Sequence, residues 1–129
     1  MSVFGDALSV TSSGLKAQAT RLRVVTENIA NVDTPGYRRK TLPFDLVRNS
    51  GDLARVQAGD VRFDRSELEK VYDASHPLAD ATGHYEGTNV NLIIEMADAR
   101  EAQRSYEANL KMFEQTRNMS SGLMDLLRR

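Results

Sequence analysis

The sequence contains no cysteine and no tryptophan, and only 3 prolines and 8 glycines among 129 residues. Without cysteine there is no disulfide framework, no zinc-thiolate centre and no thiol nucleophile. The redox compartment stays open, because a cysteine-free chain suits either environment. Aromatic residues make up 6% of the chain, too few for a large aromatic core. Neither sign of charge dominates: 17 basic residues stand against 18 acidic ones, for a net charge of −1. That near-balance argues against a general binder of nucleic acid or membrane surfaces. No apolar run approaches the roughly 18 residues needed to cross a bilayer. Met1 to Thr20 has no basic start followed by an apolar core, so no cleaved signal peptide is read there. If the protein leaves the cytoplasm, a route independent of such a signal is expected. There is also no glycine-rich phosphate loop, no nucleophile-elbow serine and no histidine beside a nucleophile. No catalytic constellation assembles, so neither an enzyme nor a cofactor is expected.

What the chain does have is apolar periodicity at both ends. Phe4, Leu8, Leu15, Leu22, Val25, Ile29 and Val32 fall on steps of three, four and seven. Leu8, Leu15, Leu22 and Ile29 keep one seven-residue interval, the seam of a coiled coil, with Thr11 and Gln18 as polar interruptions. The pattern predicts a helix from Val3 to about Ala30, roughly 42 Å long. Gly5 and Gly14 each weaken it by about 1 kcal/mol relative to alanine. A second helix is predicted from about Asn91 to Leu127, roughly 55 Å long. Its stripe comprises Leu92, Met96, Ala99, Tyr106, Leu110 and Phe113, then shifts to Met112, Met119, Leu123 and Leu126. Such drift marks a second contact face or a stutter in the repeat. Charges alternate along this helix as ordinary surface pairs, Glu107 lying four residues before Lys111.

Residues 32–90 carry few helical signals. Leu42, Phe44 and Leu46 alternate with Pro43 and Asp45 as a half-exposed strand would. Val61 and Phe63 alternate with Arg62 and Asp64, and Gly59-Asp60 reads as a turn, so Leu53 to Asp64 is expected to form a hairpin. Ser66 to Tyr72 reads as a short strand or helical turn. "DASHPLADATGHYEGTN" carries Pro77, Gly83 and Gly87 and reads as an irregular loop. His76, Asp80 and His84, with Asp73 nearby, have metal-ligand spacing for one helix face. Pro77 and Gly83 interrupt any such helix, so solvated loop residues are the better reading and no metal is expected. The fold class is therefore mainly α: long terminal helices pairing as an antiparallel coiled coil, with a small extended or β-hairpin insert between them. The division is 1–31 with 91–129 as a helical unit, and 32–90 as the insert. As a lone pair the helices would leave a long apolar stripe uncovered, the mark of a partner surface.

The first helix stops firmly. Asn31 suits the left-handed position past a helix end, Thr34 precedes proline and is pushed out of the helical region, and Pro35-Gly36 fits the centre of a type II turn. Tyr37, Arg38, Arg39 and Lys40 follow. Three charges in a near-neutral chain are weak evidence for phosphate binding, and a solvated or interface turn is the stronger reading.

"SSGLKAQATRLRVVTENIANVDTPGYRRK", residues 12 to 40, resembles the amino-terminal signature of bacterial flagellar axial proteins, which include the rod, hook and hook-associated proteins. The shared pattern is a leucine-spaced helix ending in Ala30-Asn31, a spacer, then Gly36, Tyr37 and the basic Arg38. "RSYEANLKMFEQTRNM", residues 104 to 119, is similar to the partner helix of that family. His76, Pro77, Ala79 and Asp80, together with Asn89, Val90 and Asn91 and the short chain, resemble the proximal rod proteins among them. Thr88 stands where many relatives have proline, and Gly83-His84 where they have Gly-Tyr.

The resemblance implies a structural subunit of the flagellar basal-body rod, exported by the flagellar type III apparatus without a cleaved signal and assembled in the periplasm to transmit torque from motor to hook. Its implied partners are copies of itself, the rod proteins FlgB, FlgF and FlgG, and the rod-base protein FliE, with no nucleic acid and no membrane insertion. Its implied subunit interface is Leu8, Leu15, Leu22, Val25, Ile29, Asn31, Leu92, Met96, Tyr106, Leu110, Phe113, Met119 and Leu123, with Tyr37 and Arg38 as an anchor at the joint. Unpaired stripes are expected to order fully only on assembly, and heterologous contacts that do not close a ring generate a helical tube. Two other classes compete: a cytoplasmic helical adaptor or export chaperone using the same stripes, and a peptidoglycan-cleaving enzyme, against which the lack of a catalytic constellation speaks.

Overall fold

The computed structural model describes residues 3–48 and 53–128. Two long helices account for most of it. Helix α1 spans Val3–Ala30 and helix α2 spans Leu92–Leu127. Asn91 caps α2: its side-chain oxygen accepts from the amides of Ile93 (3.1 Å) and Ile94 (3.4 Å), so two of the unpaired first-turn N–H groups are satisfied.

The helices lie against each other along α1. Asn28 meets Glu95, Arg21 meets Asp98 and Gly14 faces Asn109. The residues shut away there are small: Ala17, Val24, Val25 and, on α2, Ala102, which is 0% exposed. A β-carbon on Gly14 would stand 3.1 Å from the Asn109 side chain, so glycine here permits close approach of the helices. The gain in proximity offsets the helix-propensity cost of an interior glycine.

The insert contains six short strands in three two-stranded ribbons. β1 (Lys40–Thr41) pairs with β4 (Arg62–Phe63), β2 (Phe44–Arg48) with β3 (Ala54–Ala58), and β5 (Lys70–Tyr72) with β6 (His84–Glu86), all antiparallel. β3 packs against α1, where the Val56 amide donates to Ser13 Oγ at 3.3 Å.

Two expectations for the insert are corrected. The hairpin is not Leu53 to Asp64. It is Phe44–Ala58, and the chain then returns so that β4 closes on β1. Gly59-Asp60 is a link between ribbons: the Gly59 amide donates to the Pro43 carbonyl at 2.8 Å, extending the β2–β3 ladder by one step. The alternation at Leu42, Phe44 and Leu46 had a partner on its far side that local pattern does not reveal. The supposed irregular loop also contains a strand, β6. Gly83 precedes it at φ 82°, with its Cα against the Tyr72 ring, so a β-carbon there would be both strained and obstructed.

Because Ala102 is enclosed where the helices meet, Ala102→Leu should force them apart. A loss of about 1–3 kcal/mol is expected, read as a lower urea midpoint of the purified chain, with the exposed Ala108→Leu as an unaffected control.

Candidate functional site

The site grows from the point where α1 stops. The Asn31 amide bonds the carbonyls of Glu27 (3.1 Å) and Asn28 (3.3 Å), and its Nδ2 donates to the Glu27 carbonyl at 2.8 Å. The Tyr37 amide then donates to the Thr34 carbonyl at 3.1 Å, closing a turn over Pro35-Gly36 with Gly36 at φ 77°. Proline followed by a positive-φ glycine is the type II arrangement expected from the sequence. The Gly36 amide also reaches the Gly87 carbonyl at 2.9 Å, which ties this turn to the end of β6. Beside it the buried Thr88 donates its hydroxyl to the Val32 carbonyl at 2.8 Å.

Past the turn the chain folds back onto both helices. Asn28, 1% exposed, accepts at Oδ1 from the Tyr37 hydroxyl (2.8 Å) and the Lys40 amide (2.9 Å). Its Nδ2 donates to the Lys40 carbonyl (2.8 Å) and to the Glu95 carboxylate (3.4 Å). All four hydrogen-bonding positions of this amide are thereby used. Glu95, 0% exposed, is ion-paired with the Arg39 guanidinium. Arg39 lies 3.9 Å from Asp64 as well, and its amide donates to Asn89 Oδ1 at 2.6 Å. Asn89 Nδ2 in turn donates to the carbonyls of Asp64 (3.0 Å) and Ser66 (3.2 Å). Lys40 pairs with Glu27, a hydrogen bond that raises its pKa; the pKa of Tyr37 is raised too, chiefly by burial and then by the Glu27 carboxylate, so the hydroxyl keeps the proton it donates to Asn28. Arg21 and Asp98 form a further ion pair between the helices.

Of the two anchors read from the sequence, Tyr37 is half-buried with its hydroxyl directed inward to Asn28. Arg38 is exposed and donates to the carbonyls of Ser66 (3.1 Å) and Asp64 (3.5 Å). The residues that hold the joint are Asn28, Arg39, Asn89 and Glu95; Arg39 and Asn89 stand out in the sequence as part of a basic cluster and of a family signature, but nothing local brings the four together. A signal was available in "NLIIEMADA", where one carboxylate interrupts an apolar first turn.

The apolar stripes divide between two surroundings. On α1, Val25 is buried and Leu8, Leu15, Leu22 and Ile29 are half-buried, as is Asn31 just beyond. On α2, Tyr106 and Phe113 are half-buried and share the inward row of Glu95, Ala102 and Asn109. Leu92, Met96, Leu110, Met119 and Leu123 are exposed, as are Met112, Met124, Leu126 and Leu127, and Ile93 reaches 80%. Exposed residues come from both stripes, so the drift does not separate an inward face from an uncovered one; Tyr106 and Phe113 turn inward, and the exposed side chains lie on more than one side of the helix. Exposed large apolar side chains in this number along one helix suit an interaction surface.

The histidines go elsewhere. His76 stacks on Tyr85 at 3.9 Å and His84 meets Tyr72 edge-on at 5.1 Å. Asp73 accepts from Ser75, and Asp80 accepts from the Thr82 amide (2.8 Å) and hydroxyl (2.6 Å) and from the His84 amide (3.1 Å). Among the described residues no group of three or more potential ligands is placed to hold a metal. No helix among them is long and apolar enough to cross a membrane.

This geometry defines a structural class: a subunit with an internally satisfied polar joint and uncovered apolar faces. Comparison with known proteins agrees. The family described as "Flagella basal body rod protein" matches residues 8–38, and that described as "Flagellar basal body rod FlgEFG protein C-terminal" matches residues 81–126. The chain is 45% identical to the flagellar basal-body rod protein FlgC of Agrobacterium fabrum, over 99% of this chain and 98% of that one. It is 35% identical to FlgC of Aquifex aeolicus over 92% of each chain, and 32% identical to FlgC of Borreliella burgdorferi over 95% and 96%. The chain belongs to the flagellar basal-body rod protein family, and within it is FlgC-like: a structural subunit of the rod, not an enzyme.

Two predictions follow from the joint and the loop. Arg39→Ala leaves the Glu95 carboxylate buried without its cation, which should cost about 3–5 kcal/mol; Glu95→Gln in the same chain should recover much of that loss in urea unfolding. In the loop, hydrogen bonds from Ser75 hold the Asp73 pKa below its ordinary value, and those from Thr82 and His84 do the same for Asp80. Both folded pKa values lie below the unfolded ones, so this stabilisation is present above about pH 4 and is lost as pH falls through the folded values. Hydrogen exchange at the Ser75 and Thr82 amides should accelerate, relative to α2 amides, on acidification from pH 5 to pH 3.

Proposed function

We propose that this rod subunit occupies the proximal segment, where it assembles helically and transmits torque from motor to hook. Residues 1–31 and 91–129 form its helical assembly unit, paired as an antiparallel coiled coil, and 32–90 form the insert. What supports the pairing is the sequence of contacts Asn28 to Glu95, Arg21 to Asp98 and Gly14 to Asn109, which recede from the joint together along both helices. The observation that carries the assembly reading is the uncovered apolar face of α2 in a chain similar over nearly its whole length to rod proteins.

The proposed subunit interface is Leu8, Leu15, Leu22, Val25, Ile29 and Asn31 on the first arm, and Leu92, Met96, Tyr106, Leu110, Phe113, Met119 and Leu123 on the second. Tyr37, through its ring edge, and Arg38 serve as the anchor at the joint. The partners in this reading are copies of the chain, FlgB, FlgF and FlgG, and the rod-base protein FliE. Localisation is the periplasmic rod, reached through the flagellar type III export apparatus without a cleaved signal peptide. Apolar stripes that lack a partner in the free chain gain one on assembly, and burial at roughly 25 cal/mol per Å² drives the step.

The test is purification of intact hook-basal bodies. This chain should co-purify inside the rod, resistant to mild protease; a chain found only in the cytoplasm as a discrete soluble species would favour the adaptor reading. Leu22→Asp should abolish incorporation and motility while expression stays normal, and a fully motile Leu22→Asp strain would sink the assembly role of that stripe.

A further inference from the structure

Two strand edges in the insert are open. At the Leu46–Val56 pair the Val56 amide points out of the ribbon, toward Ser13. Register parity then turns the backbone groups of Phe44, Leu46 and Arg48 to the outer edge of β2, while Gly59 to Pro43 closes an inward pair. On the other ribbon the Glu69 amide and carbonyl bond Thr88 and Gly87, and the Asp73 amide bonds Gly83, so residues 69, 71 and 73 face inward. That leaves the backbone groups of Leu68, Lys70 and Tyr72 on the outer edge. Among the described residues no element covers either edge. Neither is protected by an internal proline, and both carry exposed apolar side chains: Leu46 is 61% exposed and Tyr72 68%. Open edges of this kind template pairing with another chain.

We infer that the β2 edge of one copy of this chain pairs antiparallel with the 68–72 edge of a neighbouring copy. The two segments match in length and in parity. Setting Leu46 opposite Lys70 places Phe44 opposite Tyr72 and Arg48 opposite Leu68. It also puts Val47 opposite Glu69, in one row with Arg55, the β3 partner of Val47. Arg55 supplies a second, independent observation: its Nε is shut off from solvent and donates to nothing among the described residues. Glu69 is exposed, and its carboxylate forms no ion pair among the described residues. The contact joins two different patches, so it does not close a dimer but propagates, as a helical assembly requires. An edge-to-edge ladder supplies main-chain hydrogen bonds, and the Arg55–Glu69 pair sets the register.

The inference rests on the rod reading, and the test separates the two. The chain has no cysteine, so any disulfide must come from introduced residues. In basal bodies oxidised with copper phenanthroline, the variant carrying Val47→Cys and Glu69→Cys should give a ladder of cross-linked dimers and higher species, and each single-cysteine variant should give only background. Rods that contain the double variant but yield monomer alone overturn the proposal. Should that variant fail to enter the rod, charge reversal decides. Arg55→Glu should cut incorporation about tenfold or more through like-charge repulsion, and adding Glu69→Arg should restore it; absence of restoration overturns the proposal. A wild-type chain missing from basal bodies would instead remove the rod reading itself.

Discussion

A carboxylate with no access to water sets the terms for the rest of this molecule. Glu95 sits in the first turn of α2 among Ile93, Ile94 and Met96, and an isolated buried charge there would cost several kcal/mol. It is tolerated because Arg39 reaches it from the chain beyond the turn and Asn28 reaches it from α1. Neither arm supplies both groups. The end of α1, the turn, β1 and the start of α2 therefore satisfy one another or none is satisfied. β1 in turn fixes β4, and Asn89 and Asp64 fasten the link that follows β4 to the same cluster. The insert is held by this polar joint more than by apolar burial, since the most buried apolar side chains are confined to Ala17, Val24, Val25 and Ala102.

Small inward residues have a consequence for the outside. Helices that meet through Gly14, Ala17 and Ala102 approach closely but remove little apolar area from water, and the stabilisation scales with that area. Tyr106 and Phe113 apart, the larger apolar side chains of α2 are exposed, and the chain on its own leaves them wet. Sequence space offered the opposite arrangement, with large residues inward and small ones outward, which makes a self-sufficient helix pair. The observed partition suits a chain whose stability is completed by neighbours, in keeping with its membership of the rod family.

The sequence made the ends of this structure legible and the middle less so, for physical reasons. A helix is written in local periodicity: the first was expected over Val3 to Ala30 and is found there, and the second begins one residue after its expected start, because Asn91 is a cap. The Thr34–Tyr37 turn was legible because proline and glycine impose dihedral angles by themselves. Strand pairing is not local. Val61 and Phe63 do alternate, but the strand formed there is Arg62–Phe63, its partner is Lys40–Thr41, more than twenty residues back, and nothing in the alternation names it. The polar joint was missed for a related reason. Asn28 and Arg39 read as a helix-end polar residue and a member of a basic cluster, and only the return of residue 95 turns them into a buried network. Tyr37 belongs to the joint through its hydroxyl on Asn28, while Arg38 lies on its exposed side.

The joint also limits how assembly can work. Asn28 has no hydrogen-bonding position left, Glu95 is inaccessible, and Lys40, Arg39 and Arg21 already have carboxylate partners within the chain. A neighbour that sought these charges would have to break pairs already made, and gain little over them. The groups that remain for a neighbour are apolar side chains and the open backbone groups and unpaired charges of the insert. A rigid polar joint inside each subunit, with unsatisfied apolar and main-chain surface outside, separates the interactions that define the subunit from those that join it to the next.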